Sequence, residues 1–147
     1  MTTIRDHRFG DLDTPTLYSI LRLRSEVFVV EQDIVYTDPD GRDVEEGTRH
    51  IFVCGPDESD RVTAYLRLLA EVDGSHRIGR VVTDPVARGT GLAGMLIGHV
   101  HDSTPGRITL HAQVHLEDWY RSLGYERTGP DFDDEGLPHV PMERLQN

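Results

Sequence analysis

RVVTDPVARGTGLAGMLIGHVH, residues 80–101, contains a strand, a glycine turn and a helix in succession, and the rest of the chain is read outward from it. Val81, Val82 and Thr83 are β-branched and suit a strand. Asp84-Pro85 stops that strand, because proline fixes φ and has no N–H to give to a ladder. Arg88-Gly89-Thr90-Gly91 follows. Glycines let a backbone approach a ligand closely, and the first turn of a helix leaves N–H groups without partners, so the segment suits anionic oxygens. Leu92, Met95, Leu96 and Val100 then recur at helical spacing, which predicts a helix over residues 91–102. The stretch reads as a strand feeding an anion cradle.

The totals limit what can surround it. A chain of 147 residues is long enough for one domain with a sizeable core and short for two, so a single domain over residues 1–147 is expected. With 37% hydrophobic and 28% charged residues, it has no apolar run near the ~20 residues of a membrane span. The first residues, MTTIRDHRFGD, lack the apolar centre of a signal peptide, and Cys54 is the one cysteine. Cytoplasm and no membrane partner are the expectations. The net charge of −11 argues against nucleic acid, whose phosphates are met by basic faces. All fifteen basic residues are arginine. A lysine Schiff base and a phosphate-loop lysine are thereby excluded, and any phosphate must be held by backbone and arginine.

Upstream, residues 4–9 suit an opening strand, and Thr14-Pro15 offers an N-cap followed by proline at the first helical position. Leu17, Ile20, Leu21, Arg24, Val27 and Phe28 extend a helix to about residues 29–32. The segment DIVYTDPDGRDVEEG that follows is polar and broken by Pro39, Gly41 and Gly47, so it reads as a loop. Residues 50–55 and 62–72 read as antiparallel strands joined by a PDESD turn, and Asp73-Gly74 signals a hairpin into the strand that ends at Thr83. Downstream, Thr104-Pro105-Gly106 breaks the chain, residues 107–113 form a strand, and residues 116–123 form a short helix stopped by Gly124. Residues 125–128 and 139–145, around an acidic PDFDDEGLP loop, suit a closing hairpin. No internal repeat, linker or low-complexity segment interrupts the order.

These residues resemble the GNAT acyltransferases, which move an acyl group from coenzyme A to an amine. Arg88-Gly89-Thr90-Gly91-Leu92-Ala93 is similar to that family's R-x-x-G-x-G/A pyrophosphate loop. The run from Gln113 through Leu116 and Tyr120 to Gly124-Tyr125 is similar to its N-x-x-A-x-x-x-Y-x-x-x-G-F run, with Gln113, Leu116 and Tyr125 as departures. The segments Leu23-Arg24-Ser25-Glu26-Val27-Phe28, Glu31-Gln32, Tyr36-Thr37-Asp38-Pro39-Asp40-Gly41 and Arg49-His50 resemble the ElaA-like branch. The helix and acidic loop also distantly resemble acyl-homoserine lactone synthases. The resemblance implies an α/β domain of α+β type, with a mixed, mainly antiparallel, strongly bent sheet flanked by helices. Its central strands, ending at Thr83 and Gln113, are splayed to admit the donor.

It also implies an activity: acyl transfer, acetyl above all, from coenzyme A to a small-molecule or peptide amine by direct attack in a ternary complex. The donor's pantetheine arm would lie along Val82 and Thr83. Its pyrophosphate would rest on the N–H groups of Gly89, Thr90, Gly91, Leu92, Ala93 and Gly94, beside Arg88, with Gln113 at the cofactor side. Tyr120, four residues before Gly124, would be the acid for the leaving thiolate, since a phenol of pKa ~10 is protonated at neutral pH. Taken alone, a tyrosine beside Trp119 on an amphipathic helix is more often a packing residue with a satisfied hydroxyl, so the assignment rests on the resemblance. For the base, His111 shares a strand face with Gln113 and has an unperturbed pKa of ~6.5; Glu31 and then His50 compete with it. Glu31, Tyr36, Asp38, Asp40 and Asp43 would give the acceptor site an acidic lining suited to a cationic amine. The oligomeric state, a homodimer among the options, stays open.

Other chemistries fit less well. His99 and His101, two apart on a helix, point to different faces, HExxH is absent, and no metal is expected. Cys54 in IFVCG suits a small buried hydrophobe, which disfavours a ping-pong thiol. A G-x-S-x-G elbow is missing. A dinucleotide-binding unit needs G-x-G-x-x-G and strands joined through helices, whereas three consecutive strands precede this turn. A domain of the same fold that senses acyl-CoA, or docks to a partner, without turnover is the alternative from another class.

Overall fold

The structure, a computed structural model, describes residues 2–56 and 60–146. Eight strands form one sheet: β1 (Arg5–Arg8), β2 (Arg49–Cys54), β3 (Val62–Ala70), β4 (His76–Thr83), β5 (Gly106–Gln113), β6 (Glu126–Arg127), β7 (Phe132–Asp134) and β8 (Leu137–Gln146). Their spatial order is β1-β2-β3-β4-β5-β8-β6, with β7 paired to β8. All neighbours are antiparallel except β4 and β5. Three helices join them, α1 (Thr14–Arg24), α2 (Leu92–Ser103) and α3 (Glu117–Ser122). The connection between β2 and β3 includes residues 57–59, so the expected PDESD turn falls on residues outside those described.

Period-two alternation along the strands sends side chains to two cores. Ile51, Val53, Leu66, Leu68, Ile108, Leu110 and Ala112 pack with Leu96, Ile97 and Val100 of α2. On the other face, Phe52, Tyr65 and Val82 pack with Ile20, Leu23 and Val27. No helix is long and apolar enough to cross a membrane among the described residues.

Three details differ from the sequence reading. Asp13, not Thr14, caps α1, its carboxylate accepting the Thr16 N–H at 2.8 Å. The helix also widens into a π-helical segment over Ser25–Glu31, a form common near functional sites. The acidic tail loop is instead a tight hairpin: Glu135 and Gly136 both have positive φ, as a two-residue turn requires. From that turn β8 runs beside the whole of β5, from Gln113 opposite His139 to Gly106 opposite Gln146. The strand around residues 139–145 is therefore internal to the sheet, with β6 beyond it.

Candidate active site

The parallel pairing of β4 and β5 is short. It covers His76, Arg77 and Ile78 against Ile108, Thr109 and Leu110, and then stops. Beyond it the strands splay. The cause is local to β4, where the register against β3 slips between Tyr65 opposite Val82 and Arg67 opposite Gly79. Two residues, Arg80 and Val81, thus bulge out of the ladder, and Arg80 takes a φ of 53°. For a non-glycine residue that costs on the order of 1–3 kcal/mol and persists only when surrounding groups hold it.

Those groups come from the loop after the π-helical segment. Asp38 receives Arg80 at 2.9 Å and Arg24 at 2.8 Å. Asp40 receives Arg67 at 2.6 Å, and Asp43 receives Arg24 at 2.8 Å and Arg67 at 3.1 Å. Arg24 is fully buried. The hydrogen bond from Arg67 holds the Asp40 carboxyl far below the usual range. Burial alone would raise that of Asp43, but Arg24 and Arg67 outweigh it and keep it low. Tyr36 donates to Asp38 at 2.8 Å, and burial and that bond push its phenol well up. The expected acidic lining is therefore corrected: Asp38, Asp40 and Asp43 are neutralised by arginines and hold the bulge in place.

A cavity of about 480 Å³ opens at the splay. Gly79, Arg80 and Val81 of β4 form one wall; Leu110, His111 and Gln113 of β5, with Leu137 and His139 of β8, form the other. Leu116 and Tyr120 close one end and Phe28, Gln32 and Ile34 the top. Val82 and Thr83 continue β4 from this cavity towards the glycine turn. There Gly89 and Gly91 each have φ of 82° and open space where a Cβ would stand. Gly91 caps α2 without a side chain, and the Thr90 hydroxyl turns inward to the Ala87 carbonyl at 2.7 Å. The N–H groups of the first turn, Leu92, Ala93 and Gly94, thus face outward without helical acceptors. Arg88 stands beside them, its guanidinium on both oxygens of Glu31 at 2.7 and 2.6 Å. The outward-facing helix N–H groups thus follow the C-terminal end of β4, and the open cavity lies along its middle.

Tyr120 is 5% exposed, held edge-on by Trp119 at 4.9 Å and Tyr125 at 5.9 Å. Burial pushes its phenol up to about 12, so the hydroxyl is protonated at neutral pH. His111 stands edge-on to Phe132 at 4.9 Å, and burial followed by the Arg77 charge lowers its pKa, favouring a neutral ring. Glu31 does not line the cavity. The hydrogen bonds from Arg88 lower its carboxyl, which fits an ion pair at the cradle better than a proton acceptor. His50 is also elsewhere, 1% exposed under the arginine network. Its Nε2 donates to the Asp43 carbonyl at 2.9 Å, and its Nδ1 accepts from the Tyr65 hydroxyl at 2.7 Å. Cys54 ends β2, its thiol pushed up by burial.

Sequence reasoning singled out neither His139 nor Arg77, nor the acidic Asp134 and Glu135, all of which line the cavity. His139 lies opposite Gln113 on β8, and its Nδ1 donates to the Leu137 carbonyl at 2.8 Å, leaving Nε2 to accept. Arg77 lines the cavity from β4. The only signal for either was strand register, which a single sequence does not carry.

Comparison with known proteins agrees with this geometry. The profile of the Acetyltransferase (GNAT) domain matches residues 28–146. A UPF0039 protein of Mycobacterium tuberculosis is 45% identical over 141 residues, covering 91% of this chain and 87% of that protein. Protein ElaA of Escherichia coli is 33% identical over 147 residues, covering 95% and 94%. Among solved structures, an acyl-CoA N-acyltransferase from Pseudomonas aeruginosa superposes with a TM-score of 0.91 at 33% identity, covering 99% of this chain and 100% of that one. Escherichia coli ElaA gives 0.87 at 32% identity, covering 98% and 99%. This chain belongs to the GNAT family of acyl-CoA-dependent acyltransferases, in its ElaA-like branch.

Proposed function

We propose that this protein transfers an acyl group, acetyl in the first instance, from coenzyme A to the nitrogen of an amine by direct attack in a ternary complex. The observation that carries the reading is the splay between β4 and β5, with unpartnered helix N–H groups at one end and the Tyr120 hydroxyl at the other. The open space at Gly89 and Gly91 fits a pyrophosphate against the backbone. Arg88 adds a second set of donors once it exchanges Glu31 for phosphate oxygens.

When bound, acyl-CoA supplies a thioester whose acyl carbon accepts the amine. The bulge at Arg80 and Val81 leaves β4 backbone unpaired beside the cavity, where it can orient that group. His111, neutral at pH 7, takes the proton that the attacking amine must lose, directly or through one water. His139 offers a second acceptor nitrogen next to Gln113. Tyr120 donates its proton to the departing sulfur. The C–N bond forms as the C–S bond breaks, and one proton leaves nitrogen while one reaches sulfur, so no further reactant is needed.

The test is release of free thiol from acetyl-CoA across a panel of primary amines. Amine-dependent release at a rate set by Tyr120 supports transfer. Tight donor binding without release from any amine would make the protein an acyl-CoA sensor and overturn the enzymatic reading.

A further inference from the structure

Four arginines line the cavity: Arg42, Arg67, Arg77 and Arg80. Three are neutralised in place. Arg42 meets Glu45 at 3.1 Å and Glu71 at 2.9 Å, while Arg67 and Arg80 belong to the aspartate network. Arg77 has no ion pair or hydrogen bond among the described residues, and its Nε is buried without a partner. It extends from the closed end of the splay, opposite Leu69 on β3 and Thr109 on β5, beside the apolar Ile78 and Leu110. A guanidinium half withdrawn from water and left unpaired is costly, and an acceptor-site anion would relieve that cost.

The opposite end of the cavity has the reverse charge. Asp134, the last residue of β7 and opposite Leu137, and Glu135, in the turn to β8, line it there. Neither is ion-paired among the described residues. The space is therefore polarised along β5, negative where the acyl group would arrive and positive at Arg77. From Thr109, opposite Arg77, to Gln113 is four strand residues, roughly 13 Å.

We infer that the acceptor is an amino acid-like zwitterion, with its amine at the splay and a carboxylate several bonds away held by Arg77. The inference rests on the acyl-transfer reading for what the amine does, and on the charge layout alone for the carboxylate. The ammonium enters beside Asp134 and Glu135 and gives up its proton at the splay. One uncompensated cation calls for a single negative charge. The planar guanidinium fork matches a carboxylate with two parallel hydrogen bonds.

The test compares matched pairs of increasing length: 4-aminobutyrate with butylamine, 5-aminopentanoate with pentylamine, and 6-aminohexanoate with hexylamine. Thiol release and calorimetric binding to the CoA-loaded protein are both measured. For at least one pair the carboxylate-bearing amine should win by about ten- to a hundred-fold in kcat/KM, the worth of a charged hydrogen-bond pair. Arg77→Gln should remove the preference by raising KM with little change in kcat, and Arg77→Lys should restore part of it. Acetyl-CoA affinity should not move in either variant, which also reports correct folding. Equal use of both members of every pair, or a preference that survives Arg77→Gln, overturns the inference. Should no amine release thiol, the enzymatic reading fails, and the binding arm decides separately. Arg77-dependent binding of the amino acid supports the anion site, and binding indifferent to Arg77 overturns it.

Discussion

Replacing Tyr120 by phenylalanine removes one oxygen from a site that otherwise stays filled. The ring is 5% exposed and packed edge-on by Trp119 and Tyr125, contacts that phenylalanine keeps. The hydroxyl makes no hydrogen bond to a described residue, so its loss strands no partner, and stability should change by less than about 1 kcal/mol. Turnover should change much more. Positioned acids are worth roughly 10²–10⁴ in rate. Burial that lifts the phenol to about 12 weakens it as a proton donor, while a thiolate expelled into a site partly withdrawn from water is itself less solvated and so a better proton acceptor. The proton still has a reason to move, with less driving force than an ordinary phenol would give. The expected loss in kcat is therefore near the lower end, about a hundred-fold, or about 2.7 kcal/mol of barrier. Thiol release under saturating amine measures it, with calorimetry showing donor affinity unchanged within about three-fold. A kcat within a few-fold of the parent protein would refute the role assigned to the hydroxyl. A loss of donor binding equal to the loss of rate would make Tyr120 a binding residue.

Other outcomes follow from the same contacts. Glu31→Gln should leave kcat within about three-fold and tighten acetyl-CoA binding by no more than a few-fold, because it frees Arg88 from an exposed ion pair; a hundred-fold fall in kcat would instead make Glu31 the base. The acid limb of kcat/KM should lie below the ordinary histidine value of 6.5, since burial and Arg77 depress His111, and Arg77→Gln should move that limb upward by removing one depressing charge. A pH profile that kept its limb in His111→Gln would transfer the role to another group. Arg24→Met should cost about 3–5 kcal/mol in denaturant unfolding, because Asp38 and Asp43 are then left buried without their shared partner. Arg67 holds Asp40 well below its ordinary 3.8, so its stabilisation is complete above that value and disappears as pH falls beneath it. Thermal unfolding of Asp40→Asn should therefore lose most of its difference from the parent protein in strong acid.

The glycine turn, the helix after it and the three strands before it were legible because each rests on neighbours in sequence. Val81 to Thr83, Gly89, Gly91 and the spacing of Leu92 to Val100 need no distant partner to declare themselves. Tyr120 was reachable only through the resemblance of the run from Gln113 to Tyr125 to the family motif. The arginine network was not: Arg24 meets Asp38 across 14 residues and Arg67 meets Asp40 across 27, and aspartates in a loop with proline and glycine look solvated whichever way they turn. The bulge at Arg80 was hidden for the same reason, since the aspartates that hold it leave no local pattern. His139 and Arg77 reach the cavity through register, with β8 lying beside β5 along its whole length despite Pro138 and Pro141. The tail therefore looked like a closing edge when it forms a wall of the site.

A crystal structure with acetyl-CoA bound is the most direct test of a donor site in the splay. The account predicts the pyrophosphate on the N–H groups from Gly89 to Gly94 with Arg88 turned onto it, the pantetheine arm beside β4, and the sulfur within hydrogen-bond reach of the Tyr120 hydroxyl. A donor bound outside the gap between β4 and β5, or a sulfur remote from Tyr120, would contradict it.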